Sequence, residues 1–239
     1  MTFFYYFDTL PSTMDEARSR ALKGAEDDSV IVALQQSQGR GRRGRVWESA
    51  LGNLYFTYIT YLDVPLSEAP QLSLVACVAV GEELRSLLPP THVLTYKWPN
   101  DLLLNGKKVG GLLLESVPIP GKNENGYLIG CGINLKNYPP QMPYPATSFQ
   151  NEGVYLSLEE VLHRIVASFH RYITLWRKEG FAPIQSLWMK EAANLEKNIT
   201  LDLQGKTQSG TFTGIDGEGA LILETLQGVV KVNAGEVLR

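Results

Sequence analysis

The sequence predicts an α+β protein: a mixed or antiparallel sheet flanked by helices, with a small β-barrel at the C-terminal end. Three observations carry this. β-Branched and aromatic runs alternate with helical patterns through roughly the first 195 residues. Asn105-Gly106 stands between two apolar runs, a type I′ hairpin signal. From about Asn198 the helical pattern stops, and short strands punctuated by Gly205, Asp216-Gly217, Gly219 and Gly228 replace it. A boundary near residue 195 is expected, giving segments 1–195 and 196–239.

Residues 3–7 read as a short aromatic strand, and 8–12 as a turn around Pro11. A helix follows. Thr13 and Glu16 have capping-box spacing, Met14, Ala17 and Ala21 recur with helical period, and Gly24 ends it. Such a helix start also suits an anion or a polar ligand. Residues 30–36 form a β-branched strand with a polar end, and 54–62 a second strand. Residues 71–88 make an apolar helix with one broad buried face, stopped by Pro89-Pro90. Strands are expected over 93–98, 102–104 and 109–115, the last two as the hairpin. Residues 118–126 are a Pro-, Gly- and Asn-rich loop. The strand over 127–135 contains Gly130 and Gly132, and glycines inside a strand suggest that another backbone or a ligand comes close. A long amphipathic helix is expected over 156–176, and another over 182–195, interrupted early by Pro183. The barrel strands are 199–203, 211–215, 220–223 and 228–232.

Composition narrows the class. With 239 residues, 44% hydrophobic and 20% charged, the chain can bury a sizeable core. A net charge of −3 gives no global pull toward nucleic acid or anionic membrane. Cys77 and Cys131 offer neither a disulfide framework nor metal spacing, which fits a reducing cytoplasm. No apolar run reaches membrane-spanning length.

Against this mildly acidic background stands Gly39-Arg40-Gly41-Arg42-Arg43-Gly44-Arg45-Val46-Trp47. Glycines and like charges make this stretch poor at regular structure, while guanidinium forks match carboxylate and phosphate oxygens. The stretch satisfies G-x-G-x-x-G, but strand–loop–strand is the wrong context for a dinucleotide fold. Gly106-Lys107 is not a phosphate loop of the Walker kind, because Asp101 and Lys108 occupy the places of glycine and Ser/Thr. His163 and His170, with Glu160, form half of a carboxylate-bridged metal motif without a second copy, so core-edge or surface histidines are expected. No nucleophile–histidine pairing is apparent. Charge neutralisation and positioning are the chemistry these residues suit.

Taken in order, Ser12-Thr13, Gln36 with the arginine loop and Trp47, Lys97-Trp98-Pro99-Asn100-Asp101, Lys107-Lys108-Val109-Gly110-Gly111, and Gly130-Cys131-Gly132-Ile133-Asn134 resemble biotin–protein ligase. So does the C-terminal segment with Gly214-Ile215-Asp216 and Gly219-Ala220-Leu221. The resemblance covers nearly the whole chain. It implies a catalytic domain like that of class II aminoacyl-tRNA synthetases and an SH3-like C-terminal barrel. It also implies a two-step reaction: biotin and Mg-ATP give biotinyl-5′-AMP and pyrophosphate, then a lysine of a biotin carrier domain, as in biotin-dependent carboxylases, takes the biotin and releases AMP.

Position by position, the resemblance places Ser12, Thr13 and Gln36 on the biotin ureido ring, with Gly111 also at the biotin site. It places Arg40, Gly41 and Arg42 on the carboxylate and phosphate end. Arg45, Trp47, Asn100 and Asn134 fall on the ATP or adenylate side, Trp47 beside the adenine. Lys108 would bridge the biotin carboxylate and the α-phosphate, with Lys108, Arg42 and Asp101 as the catalytic set. Asn100 and Asp101 suit either Mg²⁺ or the orientation of the incoming amine. Met14 stands where the family often has asparagine, and Gln38 where it often has a small residue. Fewer than ten residues precede Asp8, so no DNA-reading module is expected and a monofunctional ligase is. Neither DNA nor membrane is an expected partner; the sequence leaves a homodimer open. The rivals are a lipoate–protein ligase, a nucleic-acid-binding module using the arginine loop, and a biotin sensor without activity.

Overall fold

The computed structural model describes residues 1–119, 125–203 and 205–238. In chain order its elements are β1 (Phe3–Leu10), α1 (Thr13–Leu22), β2 (Ser29–Gln36), β3 (Leu54–Leu62), α2 (Ala69–Ser86), β4 (Leu94–Lys97), β5 (Asp101–Leu104), β6 (Lys107–Pro118), β7 (Asn125–Ile133), α3 (Leu158–Glu179), α4 (Ala182–Lys190), β8 (Asn198–Leu203), β9 (Lys206–Ile215), β10 (Leu221–Thr225), β11 (Gly228–Val232) and β12 (Glu236–Val237). The chain divides into two compact units, residues 1–67 with 107–166, and residues 68–106 with 167–239. Part of the expected loop over 118–126, residues 120–124, lies outside the described residues.

In the first unit the strands run in the order β1-β2-β3-β7-β6. β1 and β2 are parallel and the other neighbours antiparallel, so the sheet is mixed. β3 is its centre and is buried almost throughout, which its aromatic and β-branched residues allow on both faces. α1 lies on one face. Ala17 and Ala21 are fully buried, and such small side chains let a helix approach a sheet closely. Around them gather Leu10, Met14, Ile31, Ile59 and Leu128. Of Ser12 and Thr13, which open α1, Ser12 is the cap: its Oγ accepts from Met14 N at 3.2 Å. Glu16 does not reach back to the cap, because its carboxylate pairs with Arg20 at 2.7 Å.

In the second unit, β4 and β5 form a tight antiparallel pair across the cis Trp98–Pro99 peptide. Asn105 (φ 51°) and Gly106 (φ 78°) take the two left-handed positions that a type I′ turn needs. α4 begins with Pro183 in its first turn, where a missing N–H costs nothing, so the proline starts the helix instead of interrupting it. Tyr96 stacks on Trp188 at 6.1 Å, and Phe212 meets Trp188 edge-on.

The C-terminal strands correct the expected barrel. They form an open antiparallel sheet, β11-β10-β9-β8-β12. Closure needs the edge strands to pair with a consistent stagger, and the outermost strand, β12, spans only Glu236–Val237. Among the described residues no helix is long and apolar enough to cross a membrane.

Asp216 organises the β9–β10 connection. Its Oδ1 accepts from the N–H groups of Glu218 (2.9 Å) and Ala220 (3.0 Å), and Oδ2 lies 2.9 Å from Lys231 Nζ. Burial pushes its carboxyl up, but the Lys231 ammonium and the two N–H groups outweigh this and hold it below the usual carboxylate range. A depressed folded-state pKa contributes stability above the unfolded value, near 3.9, that is lost as pH falls through the folded value. Asp216→Ala is therefore expected to cost on the order of 2 kcal/mol at pH 7. In thermal melts from pH 7 to pH 3, the gap between variant and parent narrows only below about pH 4.

Candidate active site

The first unit gathers most of the expected site residues. β2 ends at Gln36 opposite the start of α1, through the parallel pairing Leu10↔Gln36. Gln36 Oε1 accepts from Thr13 N (2.8 Å) and Thr13 Oγ1 (3.1 Å). The buried Thr57 hydroxyl donates to Thr13 Oγ1 at 2.9 Å. On the other side Gln36 Nε2 donates to Ser49 Oγ at 2.9 Å, and Ser49 donates to Trp47 O at 3.0 Å. One chain of hydrogen bonds thus runs from the sheet interior, through Thr13 and Gln36, to the far end of the arginine loop. Ser12, Thr13 and Met14 are buried at its start.

The arginine loop is folded on itself, unlike the irregular stretch its composition suggested. Gly41 N donates to Arg45 O (2.7 Å) and Trp47 N to Gly39 O (2.9 Å), and Arg42–Gly44 forms a 3-10 turn. These backbone bonds are compatible with charge repulsion because Arg43 and Arg45 are exposed and Arg40 is neutralised by acids. Arg43 adopts φ 55°, a left-handed conformation uncommon for a residue with a side chain. Gly39 is required by contact: a Cβ there would collide with Trp47 O and come within 2.7 Å of Ser49 Oγ.

The strand glycines also have partners, and these are side chains of the chain itself. The Trp47 indole lies on Gly132, where a Cβ would fall 2.6 Å from Nε1 and 2.7 Å from Cζ2. Met14 Sδ occupies the space above Gly130, so the residue standing in place of the family's asparagine is packed into the core. Gly111 pairs with Gly132 across β6 and β7.

Trp47, Lys108, Asn134, Met142 and Tyr144 line a solvent-open cleft. Lys108 Nζ lies 5.4 Å from the Trp47 ring centre and 5.2 Å from that of Tyr144, so the ammonium is held between two aromatic faces. Its backbone is fixed independently, by Lys108 N to Pro145 O and Thr147 N to Lys108 O, each 2.9 Å. Asn134 is buried and donates Nδ2 to Thr147 O at 3.1 Å.

Arg42 and Arg45 sit on the loop beside this cleft's Val46 and Trp47. The Arg40 guanidinium contacts Asp15 and Glu115. Asn100 and Asp101 belong to the second unit, where Asp101 opens β5 opposite Lys97. No cluster of three or more His, Cys, Asp or Glu suited to a metal occurs among the described residues, and His163 packs against Phe4 with ring centres 4.7 Å apart. Ser49, Thr57, Tyr144, Asp15 and Glu115 were not read as site residues. Only Ser49, two residues after Trp47, carries a local signal.

Residues 6–134 match the family described as "Biotin/lipoate A/B protein ligase family", and residues 195–239 match "Biotin protein ligase C terminal domain". A biotin–[acetyl-CoA-carboxylase] ligase of Paracoccus denitrificans is 36% identical over 93% of this chain and 96% of its own. The bifunctional ligase/repressor of Bacillus subtilis is 35% identical over 97% of this chain and 72% of its own. Among solved structures, the biotin protein ligase of Aquifex aeolicus in complex with biotin and ATP superposes with a TM-score of 0.83 at 25% identity, covering 99% and 98% of the two chains.

Proposed function

Because the chain belongs to the biotin/lipoate A/B protein ligase family, we propose how its own residues divide the ligase reaction between them. The activity is ATP-dependent activation of biotin to biotinyl-5′-AMP and transfer of the biotinyl group to protein. The observation that carries the reading is the cleft itself: Lys108 is caged by Trp47 and Tyr144 in the same compact unit as the Thr13–Gln36 pair.

In the first step a biotin carboxylate oxygen attacks the α-phosphorus of ATP, the P–O bond to pyrophosphate breaks, and a mixed anhydride forms. Two anions must meet, so the main requirement is positive charge placed before they arrive. Lys108 supplies it between carboxylate and α-phosphate, and Arg42 supplies it on the phosphate side. Ser12, Thr13 and Gln36 take the ureido ring. Thr57 and Ser49 hold Thr13 and Gln36 in fixed orientation, so little ordering is left for binding. Gly41 and Gly111 allow close backbone approach, and Trp47, Asn134 and Arg45 form the adenylate side.

Asn100 and Asp101 offer the hard oxygen donors that Mg²⁺ takes alongside substrate phosphates. The bound ion would neutralise phosphate charge. In the second step a lysine amine of the carrier attacks the acyl carbon, the C–N bond forms, and AMP leaves with the electron pair of the broken C–O bond while the amine loses its proton. We take the acceptor to be the carrier domain of a biotin-dependent carboxylase, met in the cytoplasm, with no nucleic acid involved. We also take residues 1–195 to hold both small substrates and 196–239 to act as a separate small domain.

Biotin-dependent exchange of labelled pyrophosphate into ATP tests this function; exchange that lipoate supports as well as biotin does would select the lipoate reading. Arg42 also retains the anhydride until the carrier arrives. Arg42→Gly is expected to release biotinyl-adenylate and label bystander lysines at least ~10-fold more than the parent, since one charge-assisted contact of about 1.5–3 kcal/mol is removed. Mass spectrometry of an added non-carrier protein reads this out, and unchanged labelling sinks the retention role.

A further inference from the structure

Arg40 is committed to carboxylates. Its Nη2 lies 2.8 Å from Asp15 Oδ1 and its Nη1 3.1 Å from Glu115 Oε1, with Nη2 also 3.3 Å from Glu115 Oε2. Glu115 takes Arg18 as well, at 2.9 Å. Asp15 and Arg18 belong to α1, Glu115 to β6 and Arg40 to the arginine loop. One guanidinium therefore joins three elements.

The sheet register shows what this joint spans. Alternation along β6 puts Gly111, Leu113 and Glu115 on one face, opposite Gly132, Gly130 and Leu128 of β7. Met14 of α1 covers Gly130, and Trp47 of the loop covers Gly132. The helix and the loop thus lie side by side on that face, and Arg40 ties them together. Thr13 and Gln36 sit at the same junction, bonded to each other at 2.8 Å.

We propose that Arg40 is a positioning residue: it straps the arginine loop to α1 and β6, sets the geometry of the biotin end, and makes no contact with the ligand's carboxylate or phosphates. This rests on the ligase reading above. Each ion pair is partly exposed and individually weak, but Arg40 engages two acids at once and Glu115 two arginines, so the tie acts as a network.

The test is calorimetric binding of biotin and of biotin methyl ester, without ATP, to the parent, Arg40→Gln, Glu115→Gln and the double variant. The ester lacks the carboxylate charge that a direct arginine contact would recognise. The strap predicts that Arg40→Gln weakens both ligands by the same factor, on the order of 5-fold, that Glu115→Gln, which leaves the Arg40–Asp15 pair, weakens both by a smaller common factor, and that the double variant is no weaker than Arg40→Gln. In turnover the loss should fall on the KM for biotin more than on kcat. Three results overturn the proposal: an Arg40→Gln effect that disappears with the ester, an unchanged affinity in Glu115→Gln, or a raised KM for ATP at saturating biotin. A parent protein that binds neither ligand sinks the ligase reading and the strap with it. A parent that binds biotin as tightly as both single variants sinks the strap alone.

Discussion

Lys108→Ala should reduce biotin-dependent pyrophosphate exchange about 10³-fold while leaving the fold intact. The size follows from the task. Removing one preorganised charge from a developing transition state typically costs about 10²–10³ in rate, and here the same ammonium also offsets the repulsion between two ground-state anions. The fold should survive because Lys108 holds its place through backbone bonds to Pro145 and Thr147, which alanine keeps. The side chain contributes the cation between the Trp47 and Tyr144 faces, worth about 0.5–1 kcal/mol where water has access. Melting should shift by a few degrees at most. Transfer from chemically prepared biotinyl-adenylate to a carrier should be much less impaired than exchange, since the anions have already been joined. Exchange within threefold of the parent would remove Lys108 from the reaction.

The second large effect comes from a position with no functional group. Gly132→Ala puts a methyl group where the Trp47 indole now lies, 2.6 Å from Nε1. An indole is rigid and packed, so it must swing away. Overpacking of this kind costs about 1–3 kcal/mol. The indole is also a wall of the cleft beside Lys108. A rise of roughly 5- to 150-fold in the KM for ATP is expected, the range that this energy gives when the bound state must restore the displaced wall. Gly130→Ala is the control. Its Cβ would fall 2.6 Å from Met14 Sδ, a similar overlap, but methionine can turn its flexible tip aside. Less than a threefold change in either KM is expected there. Adding Trp47→Ala to Gly132→Ala should restore melting temperature without restoring ATP affinity, which separates relief of the clash from loss of the wall. Equal effects at Gly130 and Gly132 would contradict this assignment.

The main strands were legible because their signals are local. The apolar run that became β3 and the Asn105-Gly106 turn depend on residues adjacent in sequence. The arginine loop and Lys108 were legible because their charge is unusual in an otherwise ordinary composition. The residues that hold them in place were not. Ser49 reaches Gln36 across 13 positions, Thr57 reaches Thr13 across 44, and Glu115 reaches Arg18 across 97. Each looks locally like an ordinary loop, strand or surface residue, and only the sheet register brings the partners together. Arg40 shows the same limit. Sequence distinguishes an arginine in a glycine- and charge-rich loop from other arginines, but does not show that this one pairs with Asp15 and Glu115. Barrel closure was over-read because four strand signals with glycine turns are common to closed and open sheets, and the two-residue β12 has no pattern of its own.

The central claim is that this chain activates biotin with ATP and passes it to one lysine of a carrier domain. Incubating the protein with biotin, Mg-ATP and a carboxylase carrier domain, then reading carrier mass and AMP together, tests it most directly. The expected result is one biotinyl group on a single lysine, with one AMP released per carrier modified, and neither product when biotin is replaced by lipoate. A carrier of unchanged mass with no AMP formed, under conditions where the protein is folded and binds biotin, would contradict it.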